Sequence, residues 1–253
     1  MLKPKGLDWY KNVWTIDIKN ESWVEDTENQ VDFIIKTLAL TGKEKILDLA
    51  CGFGRHSLSF AKRGYSVVGV DITKEYINDA KSSAKNCSLN VEFICSDIRD
   101  INFANKFDVV LNLADGAVGY LESDEENLKI FDKISNALVS GGKHFMDLCN
   151  ADHAELCFPR RGWEIGDKAL ALSLLEWDKD NRKMIYAGWN VPYGLPAQKP
   201  TFTEGDSYRL YSKSEIQEIL NYRHMRIIET FSNYYGKKDS PQELQLLVYS
   251  QKE

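Results

Sequence analysis

The chain has 253 residues, 43% of them hydrophobic and 28% charged, with 16 glycines and 6 prolines; this composition excludes a disordered, collagen-like or disulfide-stapled chain. Lys and Arg number 32 against 38 Asp and Glu, a net charge of -6, which disfavours a binder of nucleic acid or of anionic membranes, because such proteins present a basic face to phosphate. The densest basic spots are the pairs Arg160-Arg161 and Lys237-Lys238. Five cysteines without a C-x-x-C pair, no signal-like apolar stretch near Met1 and no apolar run of spanning length give the expectation of a reduced, cytoplasmic protein. At roughly 150 residues per domain, one large domain or one domain with a sizeable insertion is expected.

From Trp23 to Leu40 the apolar residues Val24, Val31, Ile34, Ile35 and Leu38 fall near helical spacing and predict a leading amphipathic helix. Lys45 to Leu49 reads as a strand, stopped by a glycine-containing loop that turns into a helix carrying Ser57, Leu58, Phe60 and Ala61. The alternation continues with Tyr65 to Val70 (strand), Lys74 to Lys85 (helix), Val91 to Cys95 and Phe107 to Leu113 (strands), Asp124 to Leu138 (helix) and Lys143 to Leu148 (strand). Ser123 with Glu126 has the spacing of a capping box, and Gly141-Gly142 is expected to form the left-handed turn that ends this helix. Strands alternating with helices predict a doubly wound α/β fold on a mostly parallel sheet.

After Asn150 the pattern changes. Strand-like runs around Trp163, Ala169 to Trp177, Lys183 to Val191 and Thr201 to Leu210 are broken by Asp178-Lys179-Asp180-Asn181 and by Gly194-Leu195-Pro196. The second and third predict a hairpin, and residues 151–211 together read as a small antiparallel β insertion or lid. From Ser212 the α/β pattern resumes: Ser212 and Glu215 make another capping box, and the strand candidates Met225 to Ser232 and Leu244 to Tyr249 follow the helix. Residues 1–150 and 212–253 are thus assigned to one domain, with 151–211 inserted in it.

The chemistry concentrates in Ile46-Leu47-Asp48-Leu49-Ala50-Cys51-Gly52-Phe53-Gly54-Arg55-His56-Ser57. A strand ends on a carboxylate and a loop of small residues opens directly into a helix, so the loop borders the carboxyl edge where open α/β sheets bind ligands and offers helix N–H groups to an anion. Gly52-x-Gly54 alone also fits a dinucleotide loop, but Ser57 stands where that motif has its third glycine, and Asp48 is out of place beside a diphosphate. Asp71 ends the next strand 23 residues after Asp48, where a carboxylate can hold a ribose diol. Asp97 then follows the third strand, where it can accept from an exocyclic amine. Ribose and adenine without a diphosphate imply a nucleoside cofactor.

On Leu47-Asp48-Leu49-Ala50-Cys51-Gly52-Phe53-Gly54, Gly69-Val70-Asp71-Ile72-Thr73, Cys95-Ser96-Asp97-Ile98-Arg99-Asp100 and Phe107-Asp108-Val109-Val110, the sequence resembles the class I S-adenosylmethionine-dependent methyltransferases. Within them it is similar to the small-molecule branch (methyltransferase domain 25-like), related to glycine and amino-sugar N-methyltransferases. The resemblance runs from about Ile46 to Leu148 and implies a seven-stranded Rossmann-like sheet. It implies S-adenosylmethionine as cofactor and S-adenosylhomocysteine as product. Asp48, Ala50, Cys51, Gly52 and Gly54 would then hold the methionine part, Asp71 and Ile72 the ribose side, and Asp97 with Ile98 the adenine. Asn112-Leu113-Ala114-Asp115 would border the methyl-transfer position, with Leu113 against the cofactor, and Tyr10 belongs to an amino-terminal segment that related enzymes fold over it. Ala50 departs from the pattern, which has glycine there more often, and alanine tolerates positive φ poorly.

The resemblance implies transfer to a nitrogen or oxygen of a small molecule by a monomer or homodimer, with no metal and no identifiable catalytic residue. Positioning alone supplies much of such a barrier reduction, on the order of 7 to 11 kcal/mol. Cys149, His153 and Cys157 share a spacing of four suited to zinc, but three soft ligands without a fourth favour packing. The alternatives are a non-catalytic adenosyl-binding regulatory protein and a nucleic-acid methyltransferase. Enzymes of the latter kind that act on exocyclic amines carry Pro-Pro after the Asn or Asp at the fourth strand's end, where this chain has Asn112-Leu113-Ala114-Asp115. Of the aromatic residues Trp163, Trp177, Trp189, Tyr193, Tyr208 and Tyr211, and of Trp9, Tyr10 and Trp14, at least one is expected to contact ligand and the rest to form core.

Overall fold

A computed structural model describes residues 2–199 and 203–253. In chain order the elements are β1 (Lys3–Pro4), α1 (Tyr10–Val13), α2 (Thr27–Thr37), β2 (Lys45–Leu49), α3 (Arg55–Lys62), β3 (Ser66–Asp71), α4 (Lys74–Asn86), β4 (Val91–Cys95) and β5 (Phe107–Asn112). They continue with α5 (Asp124–Ala137), β6 (Leu138–Cys149), α6 (Ala151–Cys157), β7 (Arg160–Ile165), β8 (Ala169–Asp178), β9 (Lys183–Pro192), β10 (Glu204–Arg209), α7 (Lys213–Asn221), β11 (Met225–Phe231) and β12 (Gln245–Lys252).

The main sheet has seven strands in the order β11-β12-β6-β5-β2-β3-β4. Strands β4, β3, β2, β5 and β6 run parallel, and β12 is antiparallel to both of its neighbours. The fold is therefore the doubly wound, mostly parallel α/β arrangement that the alternation predicts. Both faces are covered, which is why these strands read as nearly continuous apolar runs: Leu47, Leu49, Val110 and Met146 pack with α5 and α7, while Ile46, Val109, Leu111 and Phe145 pack with α2 and α3. The chain travels outward from β2 to β4 and then returns to lay β5 on the other side of β2. This topological switch point opens a crevice at the carboxyl ends of the strands.

The second sheet has the order β1-β10-β9-β8-β7. The predicted hairpin is β8 and β9, paired from Ala169 with Pro192 to Asp178 with Lys183. Two features were not foreseen. The segment after Asn150 starts with a helix, α6, capped by the Asn150 side chain accepting from the Asp152 N–H, and the amino-terminal β1 adds to the insertion's edge, parallel to β10. Of the predicted strand Thr201 to Leu210, Thr201 and Phe202 lie outside the described residues, and the strand is observed over Glu204–Arg209. Tyr211, at the end of the predicted insertion, packs in the main core and donates from its hydroxyl to Asp124 at 2.6 Å.

Three local expectations are corrected. The leading helix starts at Thr27 rather than Trp23, because the Thr27 hydroxyl donates to the Val24 carbonyl at 2.5 Å and closes a separate 3-10 turn over Ser22–Val24. Helix α5 stops at Ala137, and Gly141-Gly142 lies inside β6, where the register with β5 shifts and Gly141 takes φ +74°. The glycine pair makes a strand irregularity, not a helix cap. At Ser123 only half of the capping box forms: its side chain accepts from the Glu126 N–H, while the Glu126 carboxylate is taken by Arg99 and Lys129. At Ser212 and Glu215 both halves form.

Candidate functional site

The loop after β2 winds through three left-handed residues, Ala50 (φ +54°), Gly52 (φ +56°) and Gly54 (φ +77°), which turn the chain from strand into α3 within five residues. Gly54 is required twice over, since a Cβ there would also lie 2.7 Å from the Phe93 ring. At Gly52 a Cβ would meet nothing closer than 3.9 Å, so glycine there leaves open space for a ligand to approach the backbone. Cys51 holds the loop down, its N–H donating to the Val70 carbonyl at 3.0 Å while its side chain packs with Ile77, Ala80 and Phe93. Ala50 thus keeps the glycine-type path at a cost of roughly 1 to 2 kcal/mol. Ala50→Gly is expected to stabilise the fold by about 1 kcal/mol, seen as a rise in Tm of about 2 to 4 °C; a lower Tm would contradict this account of the loop.

The three strand-end acids sit on one cavity wall but in different settings. Asp48 is fully buried and accepts the Ser57 hydroxyl at 2.6 Å; burial, aided by the neighbouring Asp71, pushes its carboxyl up to about 6. Asp71 accepts the Gly52 N–H at 2.8 Å on one oxygen and the Thr73 N–H at 2.7 Å on the other, which ties the loop after β2 to the end of β3; burial raises its pKa. Asp97 caps the turn Ile98–Asp100 by accepting from the Arg99 N–H. Burial works to raise its carboxyl, but the Arg99 guanidinium, within 2.6 Å, prevails and holds it below the usual range. Arg99 also reaches Glu122 at 3.0 Å and Glu126 at 2.8 Å, so Asp97 is more fixed than its place at a strand end suggested.

The segment after β5 is strained. Ala114, Asp115, Gly116 and Ala117 are consecutive left-handed residues with φ between +52° and +64°, a combination that persists only where surrounding bonds over-determine it. The Asn112 amide donates to the Gly116 carbonyl at 2.8 Å, and the Asn127 side chain accepts from Gly119 N–H at 2.9 Å and Leu121 N–H at 3.2 Å. Asp115 is half-buried and accepts the Tyr120 hydroxyl at 3.2 Å and the Cys149 N–H at 3.1 Å. Burial, and then the charge of Asp147, pushes its carboxyl up to about 6. Gly119 (φ +92°) receives the Arg209 N–H of β10 at 2.8 Å, and a Cβ there would stand 2.0 Å from the Arg209 carbonyl. Gly119→Ala is expected to cost roughly 2 to 4 kcal/mol from backbone strain plus clash, measured by denaturant unfolding; a neutral result would show that the loop is not clamped to β10.

These elements enclose a cavity of about 990 Å³ that reaches from the loop after β2 to the inner face of the second sheet. Asp48, Ala50, Cys51, Gly52, Asp71, Ile72, Asp97, Ile98, Leu113 and Tyr10 all line it, whereas Gly54 stays behind the wall as the N-terminal cap of α3. Tyr10 is buried and donates to Glu122 at 3.3 Å. Trp9, Trp14, Tyr120 and Tyr208 form a contiguous aromatic wall, with Tyr120 5.1 Å from both Trp9 and Tyr208 between ring centroids. The Trp9 indole donates to the Ser207 carbonyl at 3.0 Å, so the amino-terminal segment and the insertion close this side together. Trp163 and Tyr193 are exposed, contrary to the expectation of core or ligand contact. Arg55 lines the cavity and donates to Thr27 at 2.8 Å and Gln30 at 2.7 Å, while His153 is buried against Phe158. Asp147, buried on β6 and held by Tyr234 and Gln245 at 2.7 Å each, was missed. An acid inside the apolar run Phe145-Met146-Asp147-Leu148 is the signal that could have found it.

Residues 46–142 match the family model described as a methyltransferase domain. YqeM of Bacillus subtilis is 23% identical over 85% of this chain and 86% of its own length. A ubiquinone biosynthesis O-methyltransferase of Coxiella burnetii is 30% identical over 48% of this chain, and the match spans only half of that enzyme. Among solved structures, an S-adenosylmethionine-dependent methyltransferase from Clostridium acetobutylicum superposes with a TM-score of 0.74 at 20% identity, covering 93% of this chain and 96% of the other, a likeness of fold. Asp48, Asp71, Asp97 and the glycine-type loop all lie within the matching segment: residues 46–142 are a methyltransferase domain, and the chain is an S-adenosylmethionine-dependent methyltransferase with S-adenosylmethionine as its cofactor.

Proposed function

We propose that this methyltransferase acts on a nitrogen or oxygen of a small molecule, and that the insertion predicted over residues 151–211, cut back to its strands β7 to β10, forms a lid that selects this acceptor. The observation that carries the reading is the division of the cavity wall: Asp48, Asp71 and Asp97 stand on the main sheet, whereas Glu164, Tyr186, Asp206 and Tyr208 come from the insertion. A concave pocket with an aromatic wall beside converging polar groups suits a small ligand.

The residues fit the cofactor. Gly52 leaves space beside the backbone and α3 opens with Gly54 at its cap, so the Ala50 to Gly54 loop would hold the methionine part. Asp71 keeps lone pairs for the ribose hydroxyls beyond the two backbone donors it already serves. Asp97 and Ile98 would border the adenine, and Leu113 and Tyr10 would cover the cofactor from the β5 and amino-terminal sides. When bound, S-adenosylmethionine supplies a methyl group on a positively charged sulfur. The chain's own task is to orient the acceptor, exclude water beneath the lid and hold its carboxylates near that charge. The net charge of -6 favours a small molecule over nucleic acid, and five free cysteines suit a reducing, cytoplasmic setting. The relation to a ubiquinone biosynthesis O-methyltransferase supports a small acceptor.

The test uses cofactor with a labelled methyl group, offered with the small-metabolite fraction and separately with the nucleic acid and protein of a lysate. Label is expected in small molecules; label confined to macromolecules would overturn the reading.

A further inference from the structure

Among the described residues, nine Asp and Glu line the cavity and Arg55 is the one Lys or Arg that does. Three of the acids, Asp48, Asp71 and Asp97, have the cofactor reading above. Asp206 is paired with Lys5 at 2.6 Å. Asp115 differs from these, because the groups that face it are Asp147 and Cys149 of β6, Tyr120 of its own segment and Tyr208 of β10. None is a cation. A carboxylate withdrawn from water beside another carboxylate is costly unless a positive charge meets it. It is held there by the strained segment Ala114 to Ala117, in a cavity also lined by Trp14, Tyr120 and Tyr208, aromatic rings of the kind whose faces attract cations.

We propose that the acceptor is a basic amine, bound as its ammonium ion by Asp115 against the rings of Trp14, Tyr120 and Tyr208, and that Asp115 takes the proton the amine must lose. The inference rests on the small-molecule reading and narrows it to one chemical class. The step balances: one N–H proton passes to the Asp115 carboxylate, and the freed nitrogen lone pair forms the N–C bond. The C–S bond breaks with its electron pair staying on sulfur, giving an N-methylammonium product and the neutral thioether. A phenol or carboxylate acceptor carries no charge to match this wall, and a phosphorylated one would be repelled by it. The upward shift of the Asp115 carboxyl to about 6 suits a proton acceptor near neutrality. It predicts that kcat/KM falls as pH drops through about 6, where Asp115 becomes protonated.

The test incubates the full chain with S-adenosylmethionine bearing a trideuterated methyl and a metabolite extract, and finds the heavy-methyl product by mass. On a cation exchanger below about pH 2, where amines and amino acids carry net positive charge and phenols are neutral, the product is expected to be retained. Flow-through of the product would overturn the inference and leave the small-molecule reading intact. The parent compound is then titrated into protein saturated with S-adenosylhomocysteine. Asp115→Asn is expected to weaken that binding by at least about thirtyfold, the scale for removing one partner of a buried charge pair, with S-adenosylhomocysteine affinity unchanged as proof of folding. Equal binding to both proteins would overturn the role of Asp115. If wild-type protein binds S-adenosylhomocysteine but labels no small molecule, the underlying reading fails and the inference with it.

Discussion

Replacing residues 160–208 with a short Gly-Ser linker is expected to abolish turnover while keeping S-adenosylhomocysteine affinity within about tenfold, or about 1.4 kcal/mol. The segment contributes Glu164, Tyr186, Asp206 and Tyr208 to the cavity, whereas Asp48, Asp71 and Asp97 belong to the main sheet and stay. The cut must spare α6 and Leu210–Tyr211: Leu210 packs on Ala151 and Ala154, and Tyr211 fills the core beside Phe131. A deletion of all of 151–211 would unfold the core and say nothing about the lid. Calorimetry and a turnover assay on the same preparation check the result. Loss of cofactor binding in a folded deletion protein, or undiminished turnover, would show that the insertion is not an acceptor lid.

Asp71→Ala is expected to weaken binding of both adenosyl ligands by roughly 1 to 3 kcal/mol, the scale of hydrogen bonds to a charged group. Two effects act in the same direction. The variant loses the acceptor proposed for the ribose, and it frees the Gly52 and Thr73 N–H groups that fasten the loop to β3. Asp71→Asn keeps one acceptor oxygen and is expected to fall between wild type and Asp71→Ala. Unchanged affinity in Asp71→Ala, with NAD bound as tightly as S-adenosylhomocysteine, would overturn the ribose role.

The reading from residues alone reached the β2–loop–α3 unit because its signals are local: an apolar run ended by Asp48, then small residues, then helical spacing. Ala50 even carries the positive φ that its place in the loop demands. Where a residue's role depends on which neighbour wins it, sequence spacing was silent. Glu126 has capping-box spacing, yet Arg99, distant in sequence, draws its carboxylate away from Ser123. Gly141-Gly142 looks like a helix stop because any glycine pair after helical periodicity does; only the pairing of β6 with β5 places it inside a strand. Lys3–Pro4 is too short to show periodicity, so its addition to β10 could not be read. The sequence groups the aromatic residues together, but exposure separates Trp163 and Tyr193 from Tyr208, and exposure is set by strand pairing.

The central claim is that the crevice at the carboxyl ends of β2, β3, β4 and β5 holds the adenosyl ligand and turns its sulfur toward Asp115 and the aromatic wall. A crystal structure of the chain with S-adenosylhomocysteine tests this most directly. The account predicts the ribose hydroxyls on the Asp71 carboxylate, the adenine beside Asp97 and Ile98, the amino-acid end on the Ala50 to Gly54 loop, and the sulfur facing the space before Asp115 and Tyr120. A ligand bound outside this cavity, or bound in it with the ribose away from Asp71 and the sulfur turned from Asp115, would contradict it.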